Sequence, residues 1–348
     1  MNPVERVIRR VDKAQQRHRV PAFAFGVVKK FGDDNGGTLA ASLAHSAFVS
    51  VFPLLLVLVT VLGLVAAGDP SLRQHVLDAV AKQFPLVGRQ LAGNVHALRR
   101  SSVIGLIVGL AGLVWGGTGF AQSALFTMEQ VWNLPGPARP GFVPRLGRAV
   151  MFLGLLAVGI IVTTLLTGLD TYGHHATAIV ALAQVLALLA NFGLYFVGFR
   201  ILTPKGVPSR ALVPGAAAGG AAWTLLQVLG TYLVHHFLRS DSVYGVFATV
   251  LGLVAWIYLA VEISVYAAEI NVVLTRHLWP RSIVQPPLTK ADRTSLALQA
   301  LQNQRRDDQQ IEVSFTDKDH AARSARGAPQ TPEDVSPPAK PQSDDRGT

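Results

Sequence analysis

Six stretches of this chain carry no Lys, Arg, Asp or Glu: Thr38 to Gly68, Ser101 to Met128, Ala149 to Leu169, Thr171 to Phe199, Ala211 to Leu238 and Ser242 to Val261. Each reaches the roughly 20 residues that a helix needs to cross about 30 Å of hydrocarbon. One such run could be a buried helix of a soluble protein, but six in series point to a bilayer. Composition agrees, since charged residues make up 15% of the chain against roughly 25% in soluble domains. The expected fold is all-α: a polytopic membrane protein with six transmembrane helices and both termini on one side.

Lys and Arg are retained on the cytoplasmic side of a membrane, so their distribution sets the orientation. The arm 1–37, the loop 129–148, Arg200 with Lys205 and Arg210, and the tail from Arg276 hold 25 of the 31 basic residues. The opposite side holds six, with Arg99 and Arg100 as a local violation. Both termini are therefore expected in the cytoplasm and the protein in the bacterial plasma (inner) membrane, multi-pass. The net charge of +10 is spread along this face and lacks interleaved aromatics, so anionic lipid headgroups are the expected partner rather than nucleic acid. The chain has no cysteine, which excludes disulfides, thiolate ligands and a Cys nucleophile.

Three regions are expected. Residues 1–37 form a basic amphipathic arm, with Val4, Val7, Ile8 and Val11 at helical spacing among Arg6, Arg9, Arg10 and Lys13, as in a helix lying in the headgroup plane. Residues 38–280 form the six-helix domain, with an external loop over 69–100. Residues 281–348 read as a largely disordered cytoplasmic tail, rich in proline and mixed charge, apart from a short helix in "TKADRTSLALQALQNQ".

Polar residues inside the spans are the candidates for function, because they are expensive in hydrocarbon. In the first span, Ser42, His45, Ser46, Ser50 and Pro53 fall on one side of a helical wheel. That stripe is expected to turn away from lipid, with Pro53 bending the helix and freeing a carbonyl for a serine hydroxyl. In the last span, Tyr258, Glu262, Tyr266 and Glu269 share one face, followed by Asn271. Arg200, Lys205 and Arg210 are the expected cationic partners of the two acids. Together His45, Ser46, Ser50, Pro53, Arg200, Tyr258, Glu262, Tyr266, Glu269 and Asn271 make a candidate polar cavity, and the competing reading is a set of packing and anchoring contacts.

In the second span Gly105, Gly109, Gly112, Gly116 and Gly119 recur at spacings of 4, 3, 4 and 3. A seam of small residues lets another helix approach closely, so packing is expected there. His174, His175, His235 and His236 fall near the external surface without metal-site spacing, and no phosphate loop or nucleophile elbow is present. No cofactor, metal or enzymatic activity is expected.

Several blocks resemble one family. "LAHSAFVSVFP" (43–53), "EQVWN" (129–133), "PGAAAGGAAWTLLQ" (214–227), "YGVFATVLGLVAWIYL" (244–259) and "AAEIN" (267–271) are similar, in order, to those of the YihY/BrkB family of bacterial envelope membrane proteins. The resemblance spans about residues 25–280. It implies six helices with cytoplasmic termini, a role in envelope integrity, and no ribonuclease activity despite the ribonuclease BN label once given to such proteins. The family pattern has Tyr-Tyr where this chain has His45 and Ser46. Two functions are compatible with these residues: movement of a lipid or other amphipathic envelope component, and a non-transporting scaffold for envelope machinery.

Overall fold

The computed structural model describes residues 3–65, 102–172, 177–237 and 245–315. Nine α-helices, and no strand, occur among them. Two short helices come first, α1 (Pro3–Arg17) and α2 (Arg19–Asp33). Six long helices follow: α3 (Gly36–Val65), α4 (Ser102–Val131), α5 (Phe142–Tyr172), α6 (Thr177–Leu202), α7 (Val213–Phe237) and α8 (Gly245–Arg276). A last short helix, α9 (Lys290–Gln302), completes the set.

The long helices form a closed ring in chain order. Each packs on the next from α3 to α8, and α8 returns to α3. Leu253, Trp256, Ile257, Val261, Val265, Ala268 and Val272 make one buried stripe along α8, at the three- and four-residue spacing of a helix face. Outward positions are also apolar, including Trp115, Val158, Leu189, Val228 and Leu251. A surface of that kind is stable against hydrocarbon and not against water. Within five helices, segments 36–57, 142–159, 182–202, 209–230 and 250–276 are long and apolar enough to cross a membrane. Helix α4 is not among those five, although it runs beside α3.

The α3/α4 seam is built by glycine. A Cβ on Gly109 would stand 3.0 Å from Val57 Cγ2, one on Gly112 3.2 Å from Pro53 Cβ, and one on Gly116 3.3 Å from Ser50 Cα. Paired positions move in opposite directions, so the two helices are antiparallel. The expected seam thus closes over Gly109, Gly112 and Gly116, while Gly119 has open space beside it. The chain stays helical through Pro53. Ser50 Oγ lies 2.8 Å from both the Ser46 and the Gly116 carbonyl oxygens, so this hydroxyl serves the seam.

At one end of the ring two helices stop on left-handed residues. Asn133 ends α4 with φ 47° and His277 ends α8 with φ 54°. The following amides, Leu134 N–H and Leu278 N–H, donate back to the Glu129 and Val273 carbonyls at 2.9 and 3.0 Å. These are the long bonds that close a helix C-terminus. Helices α1, α2 and α9 lie at this same end. The arm is therefore packed rather than free: Ala22, Gly26, Val27 and Lys30 of α2 are buried, and Phe31 stacks on Tyr266 with ring centroids 4.0 Å apart.

The compact unit runs to Ile311, beyond the boundary at 281 that composition suggests. Arg281, Ser282, Asp292 and Ser295 are buried within it, because polar composition here serves an ion-pair network. Residues 312–315 belong to a second unit. The expected external loop (69–100), His174 and His175, and the tail from 316 lie outside the described residues.

Candidate functional site: a buried charge network at one end of the helix ring

The network begins with "KKFGDD", residues 29–34. Spaced four apart, Lys30 and Asp34 meet directly at the end of α2, and Lys30 is fully buried. Its ammonium also donates to the Val131 carbonyl at 3.2 Å and stands 3.6 Å from Glu269 Oε2. Asp34 Oδ1 accepts from Asn133 Nδ2 at 3.1 Å and from Gln299 Nε2 at 3.5 Å. Asn133 Nδ2 also reaches Gln302 Oε1 at 2.9 Å, and Gln302 in turn bonds Gln130. Thus α2, α4, α8 and α9 converge on one ammonium and two carboxyls.

A second cluster lies beside it. Arg281 is 1% exposed; its Nε donates to Asp292 Oδ1 and its guanidinium to Asp33 Oδ2, both at 2.6 Å. Lys29 donates to Asp292 Oδ1 at 3.1 Å and to the Ser282 carbonyl at 2.5 Å. The Asp292 carboxyl also accepts the Ser282 amide at 3.1 Å and the Thr289 amide and hydroxyl at 3.0 and 2.8 Å, forming a capping box for α9. Burial alone would raise this carboxyl. The Arg281 guanidinium, the Thr289 hydroxyl and the two amides outweigh it and bring Asp292 down to about 2. Asp12 of α1 joins through the Ser282 hydroxyl (3.1 Å) and the Ile283 amide (3.0 Å).

A third cluster seats the loop after α4. Glu129 is nearly buried, 3.6 Å from Arg145 and 4.0 Å from Arg139. Arg145 also donates to Gln122 Oε1 at 2.5 Å.

The residues expected to share one cavity separate into groups. Glu269 and Asn271 are buried, but Asn271 Oδ1 accepts the Gly215 amide at 2.7 Å and so joins α8 to α7. Tyr258, Glu262 and Tyr266 are half-buried along α8. No hydrogen bond or ion pair of Glu262 occurs among the described residues. Arg200, Lys205 and Arg210 are exposed, and the cation that meets Glu269 is Lys30, supplied by the arm. In α3 the buried face is Leu39, Ala40, Leu43 and Ala44; of the expected stripe, Ser42 and His45 are exposed and do not pack on another helix of the ring. Ser46 is half-buried and returns its hydroxyl to the Ser42 carbonyl at 3.2 Å. Ser50 and Pro53 belong to the seam with α4. Lys29, Lys30, Asp33, Asp34, Arg281 and Asp292 were not among the expected site residues; the Lys-Lys/Asp-Asp spacing was the local signal for the first four, and the Thr289-x-x-Asp292 capping pattern for Asp292. Among the described residues no group of three His, Cys, Asp or Glu could hold a metal ion.

A ring of apolar helices with an ion-paired end defines a helical, multi-pass membrane protein. The family model described as "Virulence factor BrkB" matches residues 27–289, and the chain belongs to that family. Among curated proteins it is similar to "Inner membrane protein YhjD" of Escherichia coli (strain K12), 25% identical over 276 residues, covering 73% of this chain and 81% of that one. It is also similar to a "UPF0761 membrane protein" of Alcanivorax borkumensis, 25% identical over 258 residues, covering 72% of this chain and 60% of the relative. A "UPF0761 membrane protein" of Pseudoalteromonas atlantica is 23% identical over 241 residues, covering 68% and 80%. No solved structure matches the chain.

Proposed function

We propose that this chain is an inner-membrane protein of six spans with cytoplasmic termini that supports envelope integrity by moving a lipid or other amphipathic envelope component across the bilayer. The observation that carries the reading is Glu262. It is a half-buried carboxylate within the apolar segment 250–276, flanked by Tyr258 and Tyr266 and lacking a hydrogen bond or ion pair among the described residues. An intramembrane acid of this kind calls for water or a passing polar group. About 10 Å along the helix, seven residues on, the face ends in the buried network around Glu269. A polar headgroup could follow such a face while its acyl chains stay among the outward apolar side chains.

The orientation draws on the excess of basic residues in the segments that adjoin the network. Helix α4, lying antiparallel to α3, supplies the sixth span. Exposed Val7, Ile8 and Val11 on α1, beside exposed Arg6, Arg10 and Lys13, suit an anionic headgroup layer.

In a strain lacking the protein, Glu262→Gln should reach the membrane at the wild-type level and fail to restore resistance to envelope stress. Full restoration would remove the main support for a transport path. A scaffold is the second reading, favoured by the platform that α1, α2 and α9 form; it requires that removal of 312–348 or of surface residues on that platform abolish function while Glu262→Gln does not.

A further inference from the structure

The inner cluster is not balanced. Asp34 is fully provided for: Lys30 meets one oxygen, and Asn133 and Gln299 donate to the other. Lys30 and Asp34 therefore already make a neutral pair. Glu269 is an additional carboxyl, 0% exposed, and neither of its oxygens accepts a hydrogen bond. Its nearest cation is the same ammonium, at 3.6 Å. Among the described residues Glu269 has no other ion pair. Lys29 and Asp33 of α2 turn to Asp292 and Arg281. Glu129 of α4 faces Arg139 and Arg145. Helix α9 brings the side-chain amides of Gln299 and Gln302, and Tyr266 of α8 stacks on Phe31. A second buried negative charge without a donor is unstable in such surroundings. The smallest species that neutralises it is a proton.

We propose that Lys30, Asp34 and Glu269 form a proton-binding site that latches α2 against α8. With one proton bound the cluster is neutral and α2 stays seated over the end of the ring. When the proton leaves, two carboxylates face one ammonium out of water, and the least costly relief is to separate α2 from α8 and admit solvent. No bond other than the O–H of the carboxyl forms or breaks, and the proton exchanges with bulk water. The latch stands independently of whether the bundle moves lipid.

The absence of cysteine makes a direct test clean. Spin labels would be placed at the exposed Ala24 of α2 and the exposed Val213 of α7, which Asn271 ties to α8. Distance distributions in lipid nanodiscs at acidic and alkaline pH should show a longer population that grows as pH rises. Glu269→Gln and Asp34→Asn each remove the surplus negative charge, so either variant should stay in the short state at every pH. Two results would overturn the proposal: one unchanging distance in the unsubstituted chain, or a pH response that survives in a folded Glu269→Gln or Asp34→Asn protein. A response that follows sodium at constant pH would also overturn it.

Discussion

Replacing Asp292 by Asn tests whether the outer ion-pair cluster holds the terminal helices in place. The side chain is fully buried and accepts from Arg281, Lys29, Thr289 and the Ser282 amide. Asn keeps one acceptor, turns an NH2 group toward donors, and leaves Arg281 with Asp33 alone. Removing one partner of a buried pair costs about 3–5 kcal/mol. Part of this is pH-linked. The carboxyl is brought from the ordinary 3.8 to about 2 on folding, which corresponds to about 2 kcal/mol. Because the folded value is depressed, that stability is present in full above about pH 4 and is lost as pH falls toward 2. Hydrogen exchange of α9 amides in detergent micelles is the assay, with α5 and α6 as internal controls. A loss of about 3 kcal/mol should lower α9 protection factors at neutral pH by roughly a hundredfold, and acid should lower them more in the unsubstituted protein than in Asp292→Asn. Exchange of α9 within about threefold of the parent at neutral pH would refute the reasoning.

Other substitutions probe separate parts of the account. Lys30→Met should destabilise by about 3–5 kcal/mol, because Asp34 and Glu269 lose their shared ammonium; adding Glu269→Gln should recover part of this in a double-mutant cycle followed by thermal unfolding. Gly112→Leu should press on Pro53 and cost about 1–3 kcal/mol through overpacking of α3 against α4, whereas Gly119→Leu, with open space beside it, should leave the melting temperature nearly unchanged. Asn133→Ala should lower stability by about 2 kcal/mol, since it removes bonds to Asp34 and Gln302 and strains a left-handed position; Asn133→Gly, which relieves only the backbone, should recover less than half. Truncation after Ile311 should leave the melting temperature of the helix ring unchanged, because the compact unit ends there.

The helices were legible in the sequence because hydrocarbon imposes a simple rule: uncharged runs of sufficient length must be helical. That α4 would take a close neighbour along its glycine seam was legible for a related reason, since Gly109, Gly112 and Gly116 have few uses on a lipid face; that the neighbour is α3 was not. Glu269 stood out as an acid near a span, but its partner did not. Lys30 lies 239 positions away in a segment whose mixture of apolar and basic residues reads as a surface helix, and only the ring places that segment over α8. Arg200 was the nearer guess in sequence and is exposed. The stripe from Ser42 to Pro53 divides: Ser50 and Pro53 meet α4, whereas Ser42 and His45 are exposed, because polarity alone does not fix direction. Small residues at Ala40 and Ala44 form the packed face of α3, and His45 turns outward. Residues 281–311 were legible in part: the short helix over 290–302 was expected, but its burial was not, because proline and charge resemble disorder until Arg281 and Asp292 find each other.

The measurement that tests the central claim most directly is movement of a fluorescent anionic phospholipid between leaflets of proteoliposomes, with Glu262→Gln reconstituted at equal density. The account predicts movement well above that of empty liposomes for the unsubstituted protein and its loss in the variant. Movement no faster than in empty liposomes, with the protein folded and inserted, would contradict it.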